Sequence, residues 1–128
     1  FLEVSVSMTA EQTSPNPLIL GGHPLFNGFG HYDAKADTND RFYAGPRKLT
    51  QEGIFIPRSA AAGEGDEYFM GLVNDCESMS NELVILDTLD FSNPVATVKL
   101  PIRLRQGLQG SWVDASDADV YPSKFSRE

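Results

Sequence analysis

From Phe29 to Leu100 the chain is written as short apolar runs, each stopped within a few residues by Gly, Pro, Asn or Asp. Phe29 to Asp33 and Arg41 to Ala44 read as a hairpin over the loop within Asp33–Asp40, rich in Asp and Asn. Ile54 to Ile56 is a short strand closed by Pro57, and Glu67 to Asn74 follows the turn Gly63-Glu-Gly-Asp66. Glu82 to Thr88 follows the polar turn Glu77 to Asn81, and Pro94 opens Val95 to Leu100. Phe1 to Met8 adds an alternating strand with Leu2, Val4, Val6 and Met8 on one face. Strands therefore start about every dozen residues with turn chemistry between them, and no window carries helical periodicity. The expected class is all-β, an antiparallel meander. The four runs from Ile54 to Leu100 have the order and size of one blade of a β-propeller. Leu83 to Leu86 is apolar on both faces, which predicts a strand packed from both sides.

At 128 residues, 41% of them apolar, the chain is long enough for one domain with a core. Its net charge of −8 argues against a nucleic-acid partner and supplies no polybasic membrane patch. Cys76 stands alone, so no disulfide closes within the chain and a reducing, cytoplasmic location is expected. No apolar run approaches a membrane span. Phe1 to Met8 lacks the charged and small-residue features of a secretion signal. A start at Phe1 instead of Met predicts a piece of something longer, or an irregular gene product.

The chemistry concentrates in Leu100 to Val113. Pro101 ends the preceding strand because it has no N–H for a ladder. Gly107 and Gly110 then bracket Leu108-Gln109, so the backbone can bend sharply and point Gln109 at a neighbour. Ser111-Trp112-Val113 reads as strand again. A bend of this kind is common in β-proteins, and alone it identifies nothing.

The bend and its flanking blocks together resemble the carotenoid and stilbene cleavage oxygenases, in particular the fungal stilbene-cleaving branch. The blocks are Pro24-Leu-Phe-Asn27, Gly45-Pro-Arg-Lys-Leu-Thr-Gln-Glu-Gly-Ile-Phe-Ile-Pro-Arg58, Glu64-Gly-Asp66, Met70-Gly-Leu-Val73, Glu82-Leu-Val-Ile-Leu-Asp87 and Leu100-Pro-Ile-Arg-Leu-Arg105. Their order and spacing make the match specific from Pro24 to Asp114. Phe1 to Gly22 lacks the acidic Glu-x-Pro-Arg segment normal in the family at that place. The resemblance implies a seven-bladed propeller, of which this chain holds one to two C-terminal blades. It implies Fe(II) held by four histidines, with O2 inserted across a carbon–carbon double bond of an apolar polyene or stilbenoid. The last of those histidines falls between the two glycines, where this chain has Gln109. An amide oxygen is a poor donor to Fe(II) beside imidazole. Glu52 matches the family's glutamate that hydrogen-bonds an iron-bound histidine and so fixes its ring. Gln109, still an N–H donor, is its expected partner. Read without the family, Glu52 is a solvated residue at a strand entrance.

The other candidates are weaker. His23 and His31 match no ligand position of the family, and two histidines do not specify a metal, so both are expected to be structural or exposed. Asp33 to Asp40 lacks the glycine and closing glutamate of a calcium loop. Gly63 to Asp66 has no lysine or following helix to cradle phosphate. Arg103 and Arg105 alternate along a strand edge, Asp114 to Asp119 begins a solvated acidic tail, and no nucleophile elbow is present.

The division expected is an irregular segment over 1–22 with one strand, propeller blades over 23–114, and a polar tail over 115–128. The function expected is the C-terminal part of an Fe(II) dioxygenase, without bound iron or activity as an isolated chain. The alternative is a non-catalytic propeller remnant that binds an apolar ligand or a partner, self-associating through open sheet edges.

Overall fold

The computed structural model describes residues 26–105, 107 and 110–118. Six strands are present among them: β1 (Gly28–Asp33), β2 (Thr38–Tyr43), β3 (Lys48–Pro57), β4 (Glu67–Asp75), β5 (Ser80–Asp87) and β6 (Asp90–Leu100). β1 and β2 form a two-stranded antiparallel ribbon, and β3-β4-β5-β6 form a four-stranded antiparallel sheet in sequence order. The strand at Phe1 to Met8 lies outside the described residues.

Aspartates make two of the connections. Asp33 accepts the amides of Lys35 and Ala36 at 2.8 and 3.1 Å, and Asp75 accepts those of Glu77 and Ser78 at 2.9 and 3.1 Å. In each turn the residue four places on, Asp37 or Met79, takes a positive φ. A carboxylate that caps backbone amides costs less to ionise. The Ala36 amide accordingly leads in holding Asp33 below its ordinary value, and the Ser78 amide does the same for Asp75. The β3–β4 connection includes a turn in which Asp66 N–H bonds Gly63 O and Gly65 supplies the positive φ.

The ribbon packs on one face of the sheet, and the core lies between them: Phe29, Phe42, Phe69, Val73, Val84, Leu86 and Phe91. Phe69 is its hub, with ring centroids 4.7 Å from Phe29, 5.2 Å from Phe55 and 5.4 Å from Phe91. Two glycines opposite each other in the ladder, Gly53 and Gly71, make room for these rings. A Cβ on Gly53 would sit 2.0 Å from Phe69 Cζ, and one on Gly71 2.5 Å from Phe29 Cζ. His31 is buried in the same layer, its ring 5.3 Å from Phe91 and 6.1 Å from Phe55, with both nitrogens unbonded. It is structural.

The opposite face carries Ile54, Ile56, Met70, Leu72, Leu83 and Ile85, all half-buried, with Val98 exposed. No described strand packs over these residues, so the face expected to be covered on β5 is covered only in part.

Several sequence expectations need correction. β2 begins at Thr38, not at Arg41, and Arg103 and Arg105 line no strand edge because β6 ends at Leu100. β3 is not confined to Ile54–Ile56 but begins at Lys48, its first half hidden by polar residues and a bulge. β6 begins at Asp90, not after Pro94. Pro94 lies inside the strand at a register shift opposite Leu86, and because β6 is an edge its missing N–H breaks no outer ladder. Ser111 to Val113 is not strand. It has no ladder partner among the described residues, Trp112 bonds locally to Asp114 Oδ1 at 3.0 Å, and one helical turn, α1 (Ala115–Ala118), follows in the exposed acidic stretch.

Because Phe69 is wedged by three rings it has nowhere to retreat. Gly53→Ala is expected to cost about 1–3 kcal/mol in urea unfolding. Gly63→Ala, with open space around its Cβ, should leave the midpoint unchanged. Equal midpoints for the two would contradict the packing described.

Candidate functional site

The candidate residues meet at the first half of β3. Its register with β4 runs Thr50↔Val73 and then Gly53↔Gly71, so Gln51 and Glu52 together oppose Leu72. A bulge of this kind bends a strand and re-aims its side chains. Gln51 is buried and Glu52 exposed. Thr50 anchors the irregularity to the ribbon: its amide bonds Phe26 O at 2.8 Å and its hydroxyl Gly28 O at 3.1 Å.

Beside the bulge is a hollow of about 80 Å3 lined by Gln51, Glu52, Leu72, Gly107 and Gly110. The two glycines that bracket residue 109 thus border the same space as Glu52. Gln109 lies outside the described residues, as does His23, so the Glu52–Gln109 pairing expected from the sequence has no geometry here.

What holds this segment to the blade was not anticipated from the sequence. Gln51 Nε2 donates to Asn74 Oδ1 at 2.7 Å, and Asn81 Nδ2 donates to the same oxygen. The outer ends of this amide chain accept backbone N–H groups: Leu104 N bonds Asn81 Oδ1 at 2.6 Å, and Gly107 N bonds Gln51 Oε1 at 2.8 Å. Asn81 is fully buried. Asn and Gln at strand ends read as turn or surface residues. The one available signal was that Gln51 adjoins Glu52 within a matched block.

At the far end of β3, Arg58 is a second cluster missed in the sequence. Its guanidinium bonds Asp66 at 2.6 Å, Asp87 at 2.7 Å and Tyr68 Oη at 2.5 Å, and lies 4.3 Å from the centre of the Tyr68 ring. Asp66 and then Asp87 hold the guanidinium protonated, while the Leu89 amide and Arg58 keep the Asp87 carboxyl below its usual range. This cluster ties the β3, β4 and β5 ends together.

The donors among the described residues do not make an iron site. Among the described residues no three His, Cys, Asp or Glu side chains gather where a metal could be held. His31 lies in the aromatic layer, and Gln109 offers only an amide. The described lining of the hollow offers one carboxylate, Glu52, beside Gly107 and Gly110.

The family described as retinal pigment epithelial membrane protein matches residues 6–114, so the match expected to begin at Pro24 reaches further toward the N-terminus. The chain belongs to that family. Carotenoid cleavage oxygenase 1 of Neurospora crassa is 52% identical over 107 residues, and resveratrol cleavage oxygenase 1 of Aspergillus fumigatus is 44% identical over 107. Both alignments cover 84% of this chain, which spans 20% and 21% of those relatives. Among solved structures, the lignostilbene dioxygenase of Pseudomonas brassicacearum superposes with a TM-score of 0.64 at 36% identity, over 74% of this chain and 19% of that one. Cobalt-substituted Synechocystis apocarotenoid oxygenase superposes at 0.65 and 28% identity, over 70% of this chain and 19% of that one. The antiparallel meander is therefore part of a β-propeller, with β3 to β6 as one four-stranded blade. Among the described residues no helix is long and apolar enough to cross a membrane.

Proposed function

We propose that the chain is the C-terminal part of an Fe(II)-dependent dioxygenase that cleaves a carbon–carbon double bond of a carotenoid, apocarotenoid or stilbenoid with O2. The observation that carries this is the hollow at the β3 bulge, where Glu52 and the two glycines flanking residue 109 come together inside a family match over residues 6–114. In this reading residue 109 stands where the family's fourth histidine would, and Glu52 orients that side chain by hydrogen bonding. Iron, when bound in the complete enzyme, supplies the oxygen chemistry. This chain contributes a carboxylate, a bend and the apolar Leu72 wall. The division into 1–22, 23–114 and 115–128 and a reducing, cytoplasmic setting for Cys76 belong to the same proposal.

With Gln109 in place the contribution is defective, and the 128-residue chain alone neither retains iron nor turns over substrate. The test is a chimera in which this chain replaces the matching fifth of the Neurospora crassa relative. The chimera is expected to retain much less iron after desalting than its Gln109→His variant, with stilbenoid or carotenoid cleavage restored only in the variant. Iron and cleavage equal in both, or absent from both while the propeller is folded, would overturn the reading.

A second reading, a non-catalytic propeller remnant, is favoured by the apolar face that no described strand covers and by the β6 edge. It predicts that the purified chain self-associates through these surfaces. Light scattering should give a mass above 14.0 kDa that falls as the chain is diluted. A monomer at all concentrations would contradict it.

A further inference from the structure

Beyond Leu100 the chain returns past the β4–β5 turn and meets it at a methionine whose position local chemistry does not explain. Met79 has a φ of 56°, a backbone conformation that residues other than Gly, Asn and Asp seldom take. Turn chemistry gives no reason for methionine there, because its thioether caps no backbone group. Packing gives none either, since Met79 is 52% exposed. What its sulfur does meet is Arg103, whose Nη1 donates to Met79 Sδ at 3.4 Å. The neighbouring Leu104 gives its amide to Asn81 Oδ1 at 2.6 Å. The returning segment is thus held beside this turn by a backbone amide on an amide oxygen and by a guanidinium on a thioether.

We propose that Met79 is a site of reversible oxidation by hydrogen peroxide, and that its sulfoxide binds Arg103 and tightens the segment after β6 against the β4–β5 turn. A thioether sulfur is a weak acceptor, whereas a sulfoxide oxygen is polar and accepts well from a guanidinium N–H. In the forward step the sulfur lone pair takes one oxygen as the O–O bond breaks. The thioether is oxidised by two electrons and the peroxide is reduced to water. A dithiol reverses this: the oxygen leaves as water while two thiols join in a disulfide. Exposure admits the oxidant to Met79, and Arg103 already stands beside the sulfur that would carry the oxygen. Met70, by contrast, is half-buried in β4 between Ile54 and Ile85, where added polarity costs packing. The tightened segment continues to Gly107, which bonds Gln51 Oε1 at 2.8 Å and borders the hollow. The device does not depend on what the hollow binds.

The test uses the full 128-residue chain, treated with hydrogen peroxide. Peptide mapping by mass spectrometry should find Met79 gaining one oxygen about tenfold faster than Met70, because exposure governs the reaction. Amide exchange is the second readout. After oxidation the Leu104 amide should exchange about fivefold more slowly, the effect of one added hydrogen bond. Dithiothreitol with methionine sulfoxide reductases for both sulfoxide epimers should restore the original rate. Arg103→Ala should leave the oxidation of Met79 intact and abolish the slowing. Met79→Gln, which places a neutral acceptor of similar length, should slow Leu104 exchange without peroxide.

Oxidation of Met79 no faster than that of Met70 would overturn the site. Leu104 exchange unchanged by oxidation, or slowed equally in Arg103→Ala, would overturn the tightening. Should peroxide cost protection throughout the strands, Met79→Gln decides without it. Leu104 exchange equal to that of the unsubstituted chain then contradicts the proposal, and slower exchange that is lost when Arg103→Ala is added supports it.

Discussion

One irregularity in β3 connects the two halves of this molecule. At the bulge between Thr50 and Gly53 the strand gains a residue, and the consequences run to both faces of the sheet. Toward the ribbon, Gly53 leaves the gap that Phe69 fills, and Phe69 in turn collects Phe29, Phe55 and Phe91 into one aromatic layer. Toward the other face, Gln51 reaches Asn74 and Gly107 while Glu52 borders the hollow. Packing and candidate chemistry therefore share a strand, and the aromatic core supplies the rigidity that a precisely placed carboxylate needs.

The blade holds its ends differently. At the Arg58 end, ionised groups do the fastening, where a planar guanidinium engages two carboxylates and a phenol at once. At the Gln51 end, an amide chain lies next to the hollow, and the ion pair of Lys48 with Glu82 at 2.6 Å fastens the same end of the sheet.

Much of this was legible from residue order. β4 and β5 announce themselves by short continuous apolar runs between Asp- and Gly-bearing turns, and the hairpin of β1 and β2 by its Asp33 loop. The first half of β3 did not, because Lys48 to Glu52 is mostly polar and the bulge breaks the period of two on which strand reading depends. The start of β6 was hidden by polar Asp90, Ser92 and Asn93 and by a proline that only an edge strand accepts. Ser111 to Val113 misled in the opposite sense: apolar, aromatic residues with strand propensity remain irregular without a neighbouring ladder. At the site, Glu52 was found through the family resemblance, while Gln51, Asn74 and Asn81 were not found at all. Their role depends on contacts across three strands and a returning loop, which no local pattern encodes.

Residue 109 is proposed to stand in a ligand position with Glu52 behind it. The most direct measurement is anomalous diffraction at the iron edge from crystals of the Gln109→His chimera. The account predicts a single peak at coordinating distance from the introduced imidazole, whose other nitrogen lies within hydrogen-bonding distance of Glu52. An iron peak elsewhere in the propeller, with residue 109 turned away from both metal and carboxylate, would contradict it.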